Sequence, residues 1–396
     1  MKIVIAPDSF KESLSAFEVA NYIAKGFQQI YPHERYDLVP VADGGEGTVQ
    51  ALVNGINGRI ITLEVTGPLG QSVPAHIGFS KDGKTAIIEM ATASGLMLID
   101  ECERNPLLTT SYGTGELMLE AAKRGAENMI LGVGGSATND GGAGLLQAIG
   151  VRLLDRNNQD IAWGGGALSE LCKIDVTQLD PALKKCRITI ACDVTNPLIG
   201  PEGASAIFGP QKGADEAMID QLDRNLAHFG ELLEDLTGHT IIQYPGSGAG
   251  GGICAALLAF LDTHLCSGID LVMEAVDLEN RLKDADLIIT GEGRIDSQSV
   301  HGKVPIGVAK LAKKYHKPVI GIAGSLSHDV EVVYSHGLDC VFSVILKPCS
   351  LKSALDEASI NLQTTARNIA QLLDIGRQIG RSCVADVQLS SVEHLS

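Results

Sequence analysis

Four carboxylate-bearing stretches hold much of the chemistry this sequence could perform. Asp8-Ser9-Phe10-Lys11 sets a carboxylate, a hydroxyl and an ammonium just past the first apolar segment. An ammonium at that point can neutralise phosphate oxygens. Asp43-Gly44-Gly45-Glu46 places two carboxylates on a turn. Oxygen donors of that kind suit Mg²⁺, which takes one or two carboxylates together with substrate phosphates. Asp193, followed by Thr195 and Asn196, and Asp296, inside Gly291–Ser299, each stand at a predicted strand end. Either could accept the proton of an attacking hydroxyl, and the residues alone do not decide between them.

Two glycine-rich turns complement the carboxylates. Gly132–Gly144 runs from the apolar segment Asn128–Leu131 into the helical pattern Ala143–Ile149, and it contains Gly134, Gly135, Ser136, Thr138, Asn139 and Asp140. A strand-to-helix turn of this kind aims free N–H groups at an anion, phosphate above all. The competing reading is that its glycines only make tight turns in a packed α/β protein. Pro245–Gly252, with Gly248 and Gly250, leads into a helix at Ile253–Leu261. Gly246, Gly248 and Gly251 match a dinucleotide fingerprint literally, but a proline precedes them and no strand ending in an acid follows. A Walker A motif is absent, because Gly302-Lys303 is followed by Val304 and position 297 is Ser. Neither an H-E-x-x-H pattern nor a G-x-S-x-G elbow occurs. Beyond Lys11, Lys212 and Lys303 are the further candidates for phosphoryl charge or a substrate carboxylate, and His301 lies beside Lys303.

Composition narrows the classes. A net charge of −17 without a Lys/Arg cluster excludes a nucleic-acid footprint. Nine cysteines, none in a C-x-x-C pair, argue against zinc and suit a reducing cytoplasm. No apolar run approaches the ~20 residues of a membrane span. Aromatics are only 4% while Gly numbers 45 of 396, so the core is aliphatic and the loops are glycine-rich, as in α/β proteins with buried parallel strands.

The elements that must hold these groups follow from periodicity. Lys2–Ala6 reads as a strand, Ser15 with Glu18 as a capping box opening a helix, and Leu38–Ala42 as a second strand. This is one β-α-β unit with a right-handed crossover. Ile60–Thr66, Pro74–Phe79 and Thr85–Met90 look antiparallel, with Lys81-Asp82-Gly83-Lys84 as a hairpin signal. From Ala285 the first pattern returns: strand Asp286–Thr290, loop Gly291–Asp296, then alternating helices and strands to Leu373. The expected organisation is a discontinuous parallel-sheet domain, residues 1–65 plus 284–380, with a mixed α/β domain, 66–283, inserted and a frayed tail at 381–396. The loops at Asp8–Lys11, Asp43–Thr48 and Gly291–Asp296 would then share the carboxyl ends of one sheet, facing a cleft between the domains.

Taken together, Ala6–Leu14, Asp43–Thr48, Gly134–Gly144, Cys192–Leu198, Phe208–Ala214, Pro245–Gly252 and Gly291–Ser299 resemble the bacterial type-1 glycerate kinase family, in register over about residues 1–380. The resemblance implies ATP- and Mg²⁺-dependent phosphorylation of D-glycerate at the 2-hydroxyl, and a flavodoxin-like domain carrying an inserted second α/β domain. A glycerate 3-kinase, or a kinase of another small hydroxy acid, is the nearest alternative. A nicotinamide-dependent dehydrogenase and a non-catalytic sensor of phosphorylated metabolites are the alternatives of other classes. Under the kinase reading, the turns at 132–144 and 246–252 cradle ATP phosphates. Asp43 with Glu46 holds Mg²⁺, Lys11 with Lys212 or Lys303 faces phosphoryl or carboxylate oxygens, and Asp193 or Asp296 is the base. Asp8, Ser9, Gly44, Gly45, Asn196 and Gly291 complete the expected contacts with substrate and phosphate.

Overall fold

Lys2–Ile5 (β1) is buried along its whole length, as the continuous apolar run requires of a strand covered on both faces. The computed structural model describes residues 1–42, 49, 52–53, 58–300 and 302–393. Helix α1 (Ala16–Gln28) opens on the capping box, with the Ser15 N–H on Glu18 Oε2 at 2.9 Å and the Glu18 N–H on Ser15 Oγ at 3.3 Å. Strand β2 (Arg35–Leu38) pairs parallel to β1. It lies a few residues earlier than the apolar run at 38–42 suggests. Backbone bonds to the β1 side continue from Val39 and Val41, and Pro40 stands between them where its missing N–H would face the open edge of the sheet rather than β1.

The chain then enters a second unit, Ala42–Val276. Its six-stranded sheet begins with β3 (Arg59–Thr66), β4 (Ser72–Phe79) and β5 (Thr85–Glu89), each pair antiparallel. Helix α2 (Tyr112–Lys123) leads to β6 (Asn128–Gly132), parallel to β5, and α3 (Ala143–Ala148) follows the glycine turn. A small hairpin, β7 (Arg152–Leu154) and β8 (Lys173–Asp175), precedes β9 (Arg187–Ala191). After α4 (Ala204–Phe208), α5 (Glu216–Thr237) and α6 (Ala249–Phe260), β10 (Asp262–Cys266) completes the order β10-β9-β6-β5-β4-β3. Helix α7 (Gly268–Ala275) closes the unit. Its core is almost wholly aliphatic, with Phe79 and Phe229 the only buried phenylalanines in it.

The first unit, Met1–Val41 with Asp277–Ser396, resumes at α8 (Leu278–Lys283). Strand β11 (Leu287–Ile295), α9 (Val304–Lys313), β12 (Val319–Leu326), β13 (Cys340–Ser343), α10 (Leu351–Asp356) and α11 (Ala358–Glu393) follow. The all-parallel order β13-β12-β11-β1-β2 is that of a flavodoxin-like sheet, with its reversal between β1 and β11. The α/β class agrees with the sequence reading; the units divide after Val41 and after Val276, where the expected domains divide after 65 and after 283. Residues 59–65 belong to the second unit because β3 pairs with β4, and 277–283 belong to the first. Gly291–Ile295, expected as loop, extends β11 by pairing with β12. Where a frayed tail is expected after residue 380, the α11 backbone runs on to Glu393, with neither Gly nor Pro after Gly380 to stop it. Among the described residues no helix is long and apolar enough to cross a membrane.

Helices α1 and α11 cross at Gly26, where an added Cβ would lie 2.5 Å from the Gln363 carbonyl oxygen and 2.7 Å from Ala366 Cβ. Helix propensity alone would make Gly26→Ala stabilising by up to ~1 kcal/mol. Overpacking of the crossing outweighs that, and the variant should lose about 1–3 kcal/mol in a urea titration. A gain in stability would show that the two helices do not approach so closely.

Candidate active site

In the first unit, the site residues gather where β1 and β11 end, at the reversal of strand order. The loop after β1 is bound to β11 through its backbone: the Asp8 N–H donates to the Gly291 carbonyl at 2.8 Å, and Thr290 Oγ1 donates to the Ala6 carbonyl at 2.8 Å. Asp8 is buried and its carboxylate accepts the Ser9 N–H at 2.6 Å. Lys11 projects from the same loop and is exposed. Two further buried carboxylates are Glu292, on β11, and Asp296, just past its end. Ser299 joins these two: its hydroxyl donates to Glu292 Oε1 at 2.5 Å and accepts the Asp296 N–H at 3.2 Å. Asp296 also takes the Gln298 N–H at 3.0 Å and pairs with Arg294 at 3.1 Å. Lys303, at the start of α9, reaches Glu292 Oε2 at 3.4 Å.

Glu292 is the residue that motif reading passes over. It stands between two glycines on an extended strand, and burial pushes its carboxyl above the usual range, opposed by Ser299 and Lys303 and reinforced by the charge of Asp296. A lone acid flanked by glycines at the carboxyl end of a parallel strand was the available signal. It was lost because Gly291–Asp296 read as loop.

The second unit holds a different cluster at the carboxyl ends of β6 and β9. Gly134 and Gly135 are exposed, whereas Ser136, Thr138, Asn139 and Asp140 are buried. Asp140 Oδ2 accepts the N–H and hydroxyl of Ser111, at 2.9 and 2.8 Å, and the Gly144 N–H at 3.2 Å; Oδ1 accepts the Gly142 N–H at 3.1 Å. Burial raises its pKa against these four bonds, each of which favours the carboxylate. Asp140 thus acts as the internal pin of the turn. Asn139 donates to Ser205 Oγ at 2.9 Å. Lys212 is 1% exposed and donates to the Thr138 carbonyl at 2.6 Å, away from solvent. Burial pushes its ammonium down to about 7, against the pull of Asp140.

The other glycine turn packs against the same segment. Gly250, Gly251 and Gly252 have φ of +62°, +73° and +90°, and a Cβ on Gly251 would lie 1.9 Å from the Thr138 carbonyl oxygen. Only glycine fits there. The Gly248 N–H donates to the Asn196 carbonyl at 3.1 Å, and Asn196 Nδ2 donates to the Glu202 carbonyl at 2.7 Å. Asp193 is exposed after β9 and accepts the Gly268 N–H at 3.0 Å. No strand directly precedes Gly246–Gly251 among the described residues, so the dinucleotide fingerprint lacks its strand–turn–helix setting. Asp43, Gly44, Gly45, Glu46 and His301 lie outside the described residues.

Acids with two ammonium groups at the strand reversal of the first unit suit phosphoryl transfer, which needs charge stabilisation and positioning more than covalent chemistry. Residues 3–374 match the model of the glycerate kinase family. The chain is 59% identical to the glycerate 2-kinase of Escherichia coli (strain K12) over 376 residues, covering 95% of this chain and 99% of that one. With the glycerate kinase of Bacillus subtilis (strain 168) it shares 56% identity, covering 95% and 99%. A crystal structure described as glycerate kinase 2 from Salmonella typhimurium LT2 superposes with a TM-score of 0.87 at 56% identity, covering 96% of this chain and 99% of that one. The chain belongs to the glycerate kinase family. It is an enzyme and a kinase, which sets aside the dehydrogenase and sensor alternatives.

Two outcomes follow from the geometry. Asp140→Ala leaves four buried donors without their acceptor and should cost about 3–5 kcal/mol in chemical denaturation; a loss under about 1 kcal/mol would show that the turn does not depend on it. Glu292 has a folded pKa above its ordinary 4.5, so the native state binds the extra proton and stability falls as pH rises from 4.5 through the raised value. Relative to Glu292→Gln, the wild type should therefore lose melting temperature across that window and run parallel to it above. A difference that grows in the opposite direction would contradict the burial of this carboxyl.

Proposed function

We propose that the enzyme transfers the γ-phosphoryl group of ATP, with Mg²⁺, to the 2-hydroxyl of D-glycerate, giving 2-phosphoglycerate and ADP. The observation that carries the reading is the cluster of Asp8, Glu292, Asp296 and Lys303 at the carboxyl ends of β1 and β11. Family membership supports the substrate, and the relative named a 2-kinase supports the position of transfer.

In this reading Asp296 is the candidate base in the first unit and Asp193 the candidate in the second. Asp296 is better suited, because its buried carboxyl is held in one orientation by Arg294 and the Gln298 N–H. Lys11, exposed beside Asp8, faces the transferring group or the glycerate carboxylate. Lys303 is oriented by Glu292, which Ser299 orients in turn. The N–H groups of Gly134 and Gly135, in the exposed part of the 132–144 turn, receive nucleotide phosphates.

Among the described residues no three acidic, imidazole or thiol groups gather into a metal cage. The buried carboxylates of Asp8 and Asp296 are oxygen donors of the kind that Mg²⁺ takes, since it keeps several waters and needs only one or two carboxylates beside substrate phosphates. Asp8 and Asp296 could serve, and Asp43 with Glu46 remain sequence candidates. When bound, the ion supplies charge neutralisation at the phosphate oxygens. The reading also assigns the enzyme to a reducing cytoplasm, a compartment that suits its unpaired cysteines.

Coupled measurement of ADP release is the test. ADP should appear only with D-glycerate, ATP and Mg²⁺ together; turnover of other hydroxy acids with D-glycerate inert would sink the substrate assignment. Lys11→Ala and Asp296→Asn should each lower kcat by about 10²–10⁴-fold with melting temperature unchanged. Wild-type kcat in either variant removes that residue from the machinery.

A further inference from the structure

The second unit buries an ammonium that the proposed chemistry leaves without a task. Lys212 is among the largest fully enclosed side chains of the protein. Its turn, Pro210–Lys212, cannot easily withdraw: Gly213 follows with φ +92°, and an added Cβ there would lie 2.4 Å from the Arg104 carbonyl oxygen. The ammonium is committed to the Thr138 carbonyl at 2.6 Å, on the inner side of the glycine turn.

Two side-chain oxygens of that segment hold nothing. Thr138 Oγ1 and Asn139 Oδ1 are both buried without a hydrogen-bond partner among the described residues. What fixes the three residues is Lys212 on the Thr138 carbonyl, Ser205 on the Asn139 amide, and the four donors around Asp140. The same Thr138 carbonyl abuts Gly251, so the carbonyl held by Lys212 is also where the two glycine turns meet. A buried ammonium is costly to keep, and a chain that needed only to fill this space could have used an apolar residue.

We infer that Lys212 is a positioning residue for the kinase: it sets the Thr138–Asp140 segment, and through it the N–H groups of the 132–144 turn, for nucleotide phosphate, and it does not touch substrate itself. The inference rests on the proposed reading that this turn receives ATP phosphates. It departs from the sequence expectation that Lys212 meets phosphoryl or carboxylate oxygens directly. Burial, which draws the ammonium down to about 7, is consistent with a group shielded from solvent on the inner side of the turn.

Lys212→Met keeps the length and removes the donor. In the full-length enzyme, calorimetric titration with ADP should show affinity about tenfold weaker, with stoichiometry reporting the folded fraction. KM for ATP should rise by a similar factor while KM for D-glycerate stays within twofold. Should Lys212→Met not fold, Lys212→Gln is read by the same split. ADP affinity within twofold of wild type overturns the inference. So does a kcat loss of several orders of magnitude with ADP affinity intact, because that is the signature of direct contact with the transferring group. A wild-type chain that binds ADP but does not phosphorylate D-glycerate sinks the proposed reaction and leaves Lys212 to be judged on ADP alone; one that does not bind ADP overturns both.

Discussion

The first unit depends on the pairing of β1 with β11, strands that meet across a separation of 284 residues. Ile3, Val4 and Ile5 lie in register with Leu287, Ile288 and Ile289, and the ladder continues beyond the strand through the N–H groups of Ala6 and Asp8. Without β11, the β1–β2 pair is an edge with an exposed apolar face. With it, the sheet closes over a core that draws on α1 and α11. Contacts of such sequence separation are slow to form, because loop-closure entropy precedes any reward. The same pairing fixes the chemistry. It is the Gly291 carbonyl that receives Asp8, and it is the continuation of β11 that carries Glu292 and Asp296 to the place where the strand order reverses.

Each unit solves the problem of buried charge in its own way. In the first, Ser299, Lys303 and Arg294 distribute hydrogen bonds and positive charge between Glu292 and Asp296. In the second, Asp140 is spent entirely on internal donors, and Lys212 on a carbonyl. Residues of the same type therefore have different work. Asp140 accepts four internal donors, whereas the Asp296 carboxylate takes the Gln298 N–H and Arg294 and is the candidate base of the proposed reaction. Burial alone does not separate the two; the number of internal donors does.

Much of the fold was legible in the sequence because its signals are local. The Ser15–Glu18 capping box, the apolar run of β1 and the antiparallel patterning after residue 59 each depend on a few neighbouring residues. What was not legible depends on partners far along the chain. Nothing in residues 59–65 tells which sheet they join; pairing with β4 decides it. Gly291–Ile295 reads as loop by its glycines and becomes strand only because β12 lies beside it. The same cause hid Glu292. Asp140 and Lys212 read as ligand groups because sequence shows charge and not burial. The glycine turns were recognised from composition, but the reason Gly251 must be glycine, the Thr138 carbonyl against it, is a tertiary contact.

Phosphorus NMR of the product reads directly whether the 2-hydroxyl of D-glycerate is phosphorylated. With D-glycerate, ATP and Mg²⁺, a new phosphomonoester resonance is expected, split into a doublet by the single proton on the carbon that bears the phosphate. A triplet, from a phosphate on the terminal CH₂, would contradict the position of transfer. The absence of any new phosphomonoester, with active nucleotide binding, would contradict the substrate.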